Sequence, residues 1–335
     1  DLQTLKVVDQ FSGRQLGVRA DMTSQAVRVD AHSLRSDNVQ RYCYAGPVVF
    51  AKPQGNQTSR VPLKAGAEIF GASGIAADAE VIGLMLEALQ EANMHSPVLL
   101  LGHMGIYLGL VEQLLAEGRL DEARRSALFA CIQRKGASDI RDLLDDSTTA
   151  AMLAALPDLM GDIGVLESAR EALQQAPEGV LAALQELQEL STMVKARYPQ
   201  VDLRIDVSEL SGYGYHNGPV FAVYHPQHGS ALAQGGRYDG VGDAFGRGRA
   251  ATGFDMNLKQ LMANAFEQSG AYFAPYAADE SQAGLAVFVK ALRDQGHRVI
   301  VAVAEDEQSP QDCLGTLIHD QDGWQVRPTI TAPNE

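Results

Sequence analysis

Residues 64–82, KAGAEIFGASGIAADAEVI, join two periodic patterns at a glycine-containing turn. The first eight residues are mostly small or apolar and predict a strand, whereas ADAEVIGLMLEALQEAN at 77–93 has apolar residues at helical spacing after an acidic start and predicts a helix. Glu68 lies inside the predicted strand, where an ionised carboxylate is costly unless it is paired. Two interpretations stay open: a salt bridge to Lys64 or Arg60, or contact with a cationic or donor group of a ligand.

Strands are predicted on both sides of this stretch. LKVVD (5–9) and QLGVR (15–19) flank a turn at Gly13 and predict a β-hairpin. Thr23 or Ser24 is expected to cap the short helix that follows the hairpin. Further strands are predicted at 40–50, 64–71, 96–105, 201–210, 218–226 and 230–240.

The pattern is helical throughout from about residue 106 to residue 196. Because strand-type segments precede and follow it, this region is predicted to be a helical insert in one β-rich domain. We therefore predict an α+β protein with a core domain at 1–270 and a small C-terminal α/β domain at 271–335. The C-terminal domain is expected to contain a helix at 282–296, a strand at 297–304 and a hairpin at 313–328.

The composition argues against several classes of protein. The 335 residues include 27 basic and 42 acidic side chains, for a net charge of −15, and no basic run. Proteins that hold nucleic acid neutralise phosphates with clustered Lys and Arg, so no nucleic-acid partner is expected. No apolar stretch has transmembrane length, and the cysteines lack ligand or disulfide spacing, which is typical of buried thiols in a reducing cytoplasm. A cytoplasmic protein without membrane contact is predicted.

Known cofactor and nucleophile motifs are absent from the sequence, which contains no GxxxxGK[ST], GxGxxG, HExxH or GxSxG pattern. No cofactor and no metal are therefore expected. SGYGYHNGPVFA (211–222) and QGGRYDGVG (234–242) instead combine Gly, Tyr and His around an apolar run, which is typical of the wall of a small-molecule pocket. His103 and His216 have no carboxylate at useful spacing, so each is interpreted as a structural imidazole in preference to a general base.

A set of matching segments carries a resemblance to a known family. In order and approximate spacing they resemble the catalytic core of class II histidyl-tRNA synthetases, which implies an antiparallel sheet flanked by helices. The segments are RADMT (19–23), QRYCYAGPVVF (40–50) with AGAEIFG (65–71), SGYGYHNGPVF (211–221), GGRYDG (235–240) and ATGFDMNL (251–258).

The resemblance implies a pocket for free histidine. By position, Asp21 and Thr23 match the residues that hold the substrate ammonium. Glu68, with Tyr215 and His216, lies where the synthetases bind the imidazole ring of the substrate. Carboxylates and hydroxyls suit a zwitterion with a titratable ring. The complete predicted set is Asp21, Thr23, Lys64, Glu68, Tyr213, Tyr215, His216 and Tyr238, with Arg60 and Arg237 as possible anion contacts.

Departures from the synthetase pattern argue against catalysis. The chain has Val49 and Phe50 where the second class II motif carries an arginine, and Lys259 or Gln260 in place of the arginine of the third motif. Ser211 replaces a histidine-specific arginine. Adenylate formation develops charge on an ATP phosphate, and loss of one preorganised donor costs on the order of a hundredfold in rate. No catalytic residue is therefore predicted.

The complete pattern is similar to the histidyl-tRNA-synthetase-like regulatory subunits of short-form ATP phosphoribosyltransferase. That family implies a dimeric core, assembly with a catalytic subunit that the chain activates, and feedback inhibition by histidine in histidine biosynthesis. A short, acidic C-terminal region argues against tRNA as a partner. Two alternatives stay open: an active histidyl-tRNA synthetase, and a synthetase-like histidine-sensing adaptor for another enzyme.

Overall fold

The computed structural model describes residues 4–52, 59–144, 147–212, 214–226, 228–267, 270–277, 281–310, 313–321 and 323–329. The chain forms two compact units, Asp1–Leu261 and Met262–Glu335. The sequence analysis placed the boundary slightly later, at residue 270.

The first unit is built on a large sheet and a separate hairpin. Its strands are β1 (Leu5–Val8), β2 (Gln15–Val18), β3 (Gln40–Pro47), β4 (Leu63–Phe70), β5 (Val98–His103), β6 (Met160–Gly161), β7 (Asp202–Asp206), β8 (Pro219–Tyr224), β9 (Ala233–Arg237) and β10 (Ala251–Asn257). β1 and β2 form the predicted hairpin, and the sheet order in the described residues is β3-β4-β10-β9-β8-β5-β7-β6. Neighbouring strands of this sheet are antiparallel except β5 and β7, which are parallel.

Helices fill the region between β5 and β7 that was predicted to be an insert. The α-helices that begin in the first unit are α1 (Thr23–Arg28), α2 (Ile75–Glu91), α3 (Met104–Ala116), α4 (Glu122–Gln133), α5 (Ala137–Leu143), α6 (Thr148–Ala155), α7 (Val165–Ala172), α8 (Glu178–Arg197) and α9 (Leu258–Glu267). The insert also contains the two-residue strand β6, which the helical pattern did not predict.

The alternation of side chains along β4 separates two faces of the sheet. Ala67 and Ile69 are buried in the large apolar core together with residues of α2, α3 and α8. Glu68 points to the opposite face because successive side chains of a strand alternate. This alternation explains how a carboxylate can occur in an otherwise apolar strand without entering the helical core.

His103 has the structural role that the sequence suggested. Its Nδ1 accepts the backbone N–H of Gly105 at 3.1 Å and thereby caps α3. Nε2 lies 3.2 Å from Glu186 Oε2, and because Nδ1 is an acceptor, Nε2 carries the proton. This bond lowers the pKa of Glu186 and connects the end of β5 to α8.

The start of α1 differs from the prediction. Neither Thr23 nor Ser24 caps the helix through its own side chain. Asp21 instead accepts the backbone N–H of Ser24 at 2.7 Å, and both of its oxygens lie 2.9 Å from the Ser24 hydroxyl. Part of the hydrogen-bonding capacity of Asp21 is therefore used within the chain.

The second unit is a small α/β domain with its own core. Its elements are β11 (Ala271–Ala274), α10 (Ser281–Asp294), β12 (Arg298–Val301), β13 (Gly315–Asp320) and β14 (Gly323–Pro328), with strand order β12-β11-β13-β14. Leu285, Val289 and Leu292 of α10 pack against the sheet. The short strand β11 was not predicted. In the part of the chain that the structure describes, no helix is both long and apolar enough to span a membrane.

A buried arginine connects β9 to the beginning of α2. The guanidinium of Arg237 donates from Nε and Nη2 to Oδ2 of Asp78, at 3.1 and 2.8 Å. It also donates to the carbonyl oxygens of Ala72 and Gly74 and to Asp239. These bonds use all five N–H donors, so the structure does not support the predicted role of Arg237 as an anion contact.

Replacement of Arg237 by Ala should destabilise the protein strongly, because Asp78 would stay buried without its cation. The expected loss in the free energy of unfolding is about 3–5 kcal/mol. Urea denaturation measures it, with Arg204→Ala as the control, since Arg204 pairs with Asp202 at the surface and should contribute at most about 1 kcal/mol. Equal losses in the two variants would contradict this assignment.

Candidate functional site

A cavity of about 320 Å³ opens on the sheet face that carries Glu68. Six of the eight predicted histidine-binding residues line it: Asp21, Thr23, Glu68, Tyr215, His216 and Tyr238. Lys64 does not line the cavity but bonds to a residue that does, and Tyr213 lies outside the described residues. The remaining lining residues are Ser211, Gly212, Phe221, Gln234, Gly235, Gly253, Phe254 and Asp255.

Glu68 is buried, with 1% of its surface exposed, and its partners are hydroxyl groups. Tyr238 donates to Oε2 at 2.5 Å and Tyr44 donates to Oε1 at 3.1 Å. Of the two interpretations that the sequence left open for Glu68, the salt bridge to Lys64 or Arg60 is wrong, because Lys64 pairs with Asp255 and Arg60 donates to a backbone carbonyl. Glu68 therefore lies among neutral donors.

The environment of Glu68 makes it a proton-exchanging group near neutral pH. Burial raises its pKa to about 7, although hydrogen bonds from Tyr238, Thr23 and Tyr44 partly oppose this effect. The nearby charge of Asp255 raises the pKa further. Near neutral pH the carboxyl group therefore occurs in both protonated and ionised forms and can either donate or accept a hydrogen bond.

Aromatic rings form one wall of the cavity. The rings of Tyr215 and Tyr238 stack with centroids 5.0 Å apart, and His216 contacts Tyr215 edge-on at 5.1 Å. The hydroxyl of Tyr215 is buried and has no hydrogen-bond partner in the described structure. A buried polar atom without a partner is costly, so this hydroxyl is available for a polar ligand atom.

His216 is held as a neutral ring. Its Nδ1 lies 3.2 Å from the carbonyl oxygen of Ser211, so Nδ1 carries the proton and donates. Burial lowers the pKa of His216 and favours the neutral imidazole. Nε2 is then an acceptor. His216 therefore has the structural contact expected from the sequence, and it also lines the cavity.

Glycines allow side chains to lie directly against the backbone of the cavity floor. A Cβ atom at Gly253 would lie 1.5 Å from Oε2 of Glu68, and one at Gly235 would lie 2.1 Å from a backbone oxygen of β10. Any larger residue at these positions would displace the carboxylate or separate the strands. The glycines of GGRYDG and ATGFD therefore shape the site.

Asp255 is the charged lining residue that the sequence analysis did not predict. It lies on β10 two residues after Gly253, and its Oδ1 accepts a bond of 2.5 Å from Nζ of Lys64. Cross-strand register places it on the cavity face, since Gly253 is opposite Glu68 and Asp255 is opposite Gly66. The alternation of ATGFDMNL was the available signal, but it required knowledge of the register.

At the positions where the synthetases carry arginines, this chain has side chains that are neutral or that bond to other parts of the protein. Phe50 is buried, and its carbonyl accepts a bond from Arg60 at 2.9 Å. Ser211 lines the cavity, whereas the Gln260 amide and the Lys259 ammonium bond to other parts of the first unit. Among the cavity-lining residues that the structure describes, none is an arginine or a lysine.

The raised pKa of Glu68 has a consequence for stability. Its folded-state pKa of about 7 lies above the unfolded value of 4.5, so the folded state binds the proton more tightly, and stability falls as the pH rises through 7. Relative to Glu68→Gln, the wild type should lose about 2–3 kcal/mol of unfolding free energy between pH 5 and pH 8. Urea denaturation at both pH values measures this difference.

The control for that measurement is Glu91→Gln, which replaces an exposed carboxylate at the end of α2. The unfolding free energy of this variant should change between the two pH values by the same amount as that of the wild type. If Glu68→Gln also follows the wild type, Glu68 is ionised at both pH values and the environment described above is not the one present in solution.

Comparisons with known proteins identify the fold of the first unit and the family of the chain. Residues 1–261 match the family model of histidyl-tRNA synthetase. A solved ATP phosphoribosyltransferase regulatory subunit/histidyl-tRNA synthetase from Bacillus halodurans C is 27% identical with a TM-score of 0.73, covering 92% of this chain and 80% of that chain. The fold is thus of the class II histidyl-tRNA synthetase type, and the predicted fold class is confirmed.

Comparisons that include the C-terminal residues identify a narrower family. Residues 269–327 match the model of the ATP phosphoribosyltransferase subunit HisZ C-terminal domain. The ATP phosphoribosyltransferase regulatory subunit of Pseudomonas syringae pv. syringae (strain B728a) is 43% identical, covering 98% of this chain and 84% of the relative. A chain of the ATP phosphoribosyl transferase (HisG:HisZ) complex from Thermotoga maritima shares the fold, with a TM-score of 0.58 at 19% identity over 75% of this chain and 84% of that chain. The chain belongs to the family of ATP phosphoribosyltransferase regulatory subunits.

Proposed function

We propose that this chain is a regulatory subunit of ATP phosphoribosyltransferase that binds free histidine and inhibits a catalytic partner in response. The observation that carries the proposal is the composition of the cavity. It keeps a buried carboxylate, hydroxyls and stacked rings, yet its described lining contains no cation. Family membership supplies the partner class, an ATP phosphoribosyltransferase catalytic subunit, and the resemblance to synthetases supplies a self-associating core.

The contacts around Glu68 suit an imidazole ring. The unperturbed pKa of histidine is about 6.5, close to the value of about 7 for Glu68. Matched pKa values let the pair share one proton in a strong, charge-assisted hydrogen bond. The free hydroxyl of Tyr215 can then bond to the other ring nitrogen. A ring with two polar nitrogens is therefore favoured over an apolar side chain of similar size.

The same cavity suits ATP poorly. Carboxylates of Asp21, Glu68 and Asp255 line it, and each disfavours the approach of a polyphosphate. Phosphoryl and adenylyl transfer instead depend on fixed cations that neutralise the developing charge. The proposal is therefore a regulatory subunit without adenylation activity.

Histidine-dependent exchange of pyrophosphate with ATP tests the enzyme alternative. The pure chain should exchange at the background rate, because the side chains at the positions of the synthetase arginines are neutral or, like Lys259, bonded elsewhere, and each lost donor costs on the order of a hundredfold. A histidyl-tRNA synthetase assayed in parallel provides the positive control. Exchange at a rate comparable to that control would identify this chain as an active synthetase.

Reconstitution with a short-form ATP phosphoribosyltransferase catalytic subunit tests the regulatory role. Adding the chain should raise turnover and make it sensitive to histidine, with a change of roughly five- to 150-fold for a coupling of about 1–3 kcal/mol. Glu68→Gln should still activate but lose most of the inhibition, because the carboxylate is buried in the cavity and away from any protein surface.

Glu91→Gln is the matched control and should keep both activation and inhibition. Failure of the wild-type chain to change the turnover of the catalytic subunit would contradict the proposed partner. Equal inhibition of the wild-type and Glu68→Gln complexes would place the inhibitory histidine outside this cavity.

A further inference from the structure

We infer that Asp255 and Lys64 bind the α-ammonium and α-carboxylate of the ligand. On binding, the ion pair between Asp255 and Lys64 opens, and each side chain pairs with one charge of the ligand instead. The inference deepens the proposed function, on which it rests, and it assigns a role to a residue that the resemblance does not identify. Asp255 would meet the ligand ammonium and Lys64 the ligand carboxylate.

The need for a cation near the cavity motivates this assignment. A free amino acid brings a carboxylate that must meet donors or a positive charge when it leaves water. The described residues that line the cavity include no Lys or Arg. Lys64 is within reach, because its Nζ lies 2.5 Å from Oδ1 of Asp255, which is a lining residue.

The Lys64–Asp255 pair is able to open. Its side chains are 19% and 25% exposed, so neither partner is sealed in the core and water can solvate both during exchange. The contacts of Asp21 differ, since both of its oxygens already lie within hydrogen-bond distance of Ser24. Asp255 therefore offers a carboxylate whose described ion-pair partner can be replaced by the ligand ammonium.

The spacing of the sheet fits one histidine molecule. Gly253 is paired with Glu68, and Asp255 is two residues further along the same strand and face. Such diagonal positions lie about 7–8 Å apart. In histidine, two carbon atoms separate the ring from the ammonium, so a ring at Glu68 places the charged groups toward Asp255.

Charge balance makes the exchange selective for a zwitterion. A free amino acid supplies one partner for Lys64 and one for Asp255, so both charges stay paired. A ligand with only an ammonium or only a carboxylate leaves one of them without its partner. An unpaired charge at a partly desolvated site lowers affinity, and a hydrogen bond to a charged group corresponds to about ten- to a hundredfold in binding.

Calorimetry with three ligands tests the assignment on the full chain. The ligands are L-histidine, histamine, which lacks the carboxylate, and imidazole-4-propionate, which lacks the ammonium. Lys64→Met should weaken histidine about ten- to a hundredfold without weakening histamine. Asp255→Asn should weaken histidine and histamine by a similar factor without weakening imidazole-4-propionate.

Two controls keep the result interpretable. Lys64→Arg retains the positive charge and should bind histidine more tightly than Lys64→Met, which separates the loss of charge from misfolding. Lys290→Met and Asp294→Asn remove a Lys–Asp pair of the same chemistry from the surface of α10, where the two side chains lie 2.6 Å apart. They should change none of the three affinities.

The outcomes separate this inference from the function on which it rests. A wild-type chain that binds none of the three ligands overturns the proposed function and the inference together. A wild-type chain that binds histidine, with Lys64→Met weakening histidine and histamine equally or weakening neither, overturns the inference alone.

Discussion

The buried guanidinium of Arg237 is the contact on which the site geometry depends. Its five donors fix Asp78 at the beginning of α2, the turn that contains Ala72 and Gly74, and Asp239 after β9. Tyr238 follows Arg237 directly, so the same contacts fix the tyrosine whose hydroxyl reaches Glu68. A cation that could have served an anionic ligand instead holds the wall of the cavity in place.

The hydrogen-bond partners of the buried Glu68 carboxylate are hydroxyl groups and not cations, and this difference changes which ligands the cavity can bind. An arginine beside Glu68 would keep it ionised and acidic, whereas Tyr238 and Tyr44 stabilise the charge only partly, and burial prevails. The resulting group exchanges a proton near neutral pH. That property suits a titratable ring and is of no use for stabilising transferred phosphates.

Alternation and helical spacing are local signals, and they predicted the α+β core and the helical insert. The residues assigned to the cavity came mainly from the resemblance to the synthetases. The sequence also indicated that Glu68 needs a partner, but both proposed cations were wrong. Lys64 and Glu68 are four residues apart on one strand, about 13 Å along it, which is too far for a direct salt bridge. Tyr44, Tyr238 and Asp255 come from neighbouring strands, and their proximity depends on a register that no local pattern contains.

The parallel pairing of β5 with β7 determines how the sheet can assemble. Every other neighbouring pair of this sheet in the described residues is antiparallel, while β5 and β7 are separated in the chain by the whole helical insert. Closing such a long segment carries a large entropic cost before any strand contact forms. The helices α3 to α8 have local contacts of their own, and their early collapse would bring the two strands together. A compact insert therefore lowers the entropic cost of pairing β5 with β7 and of closing the sheet beneath the cavity.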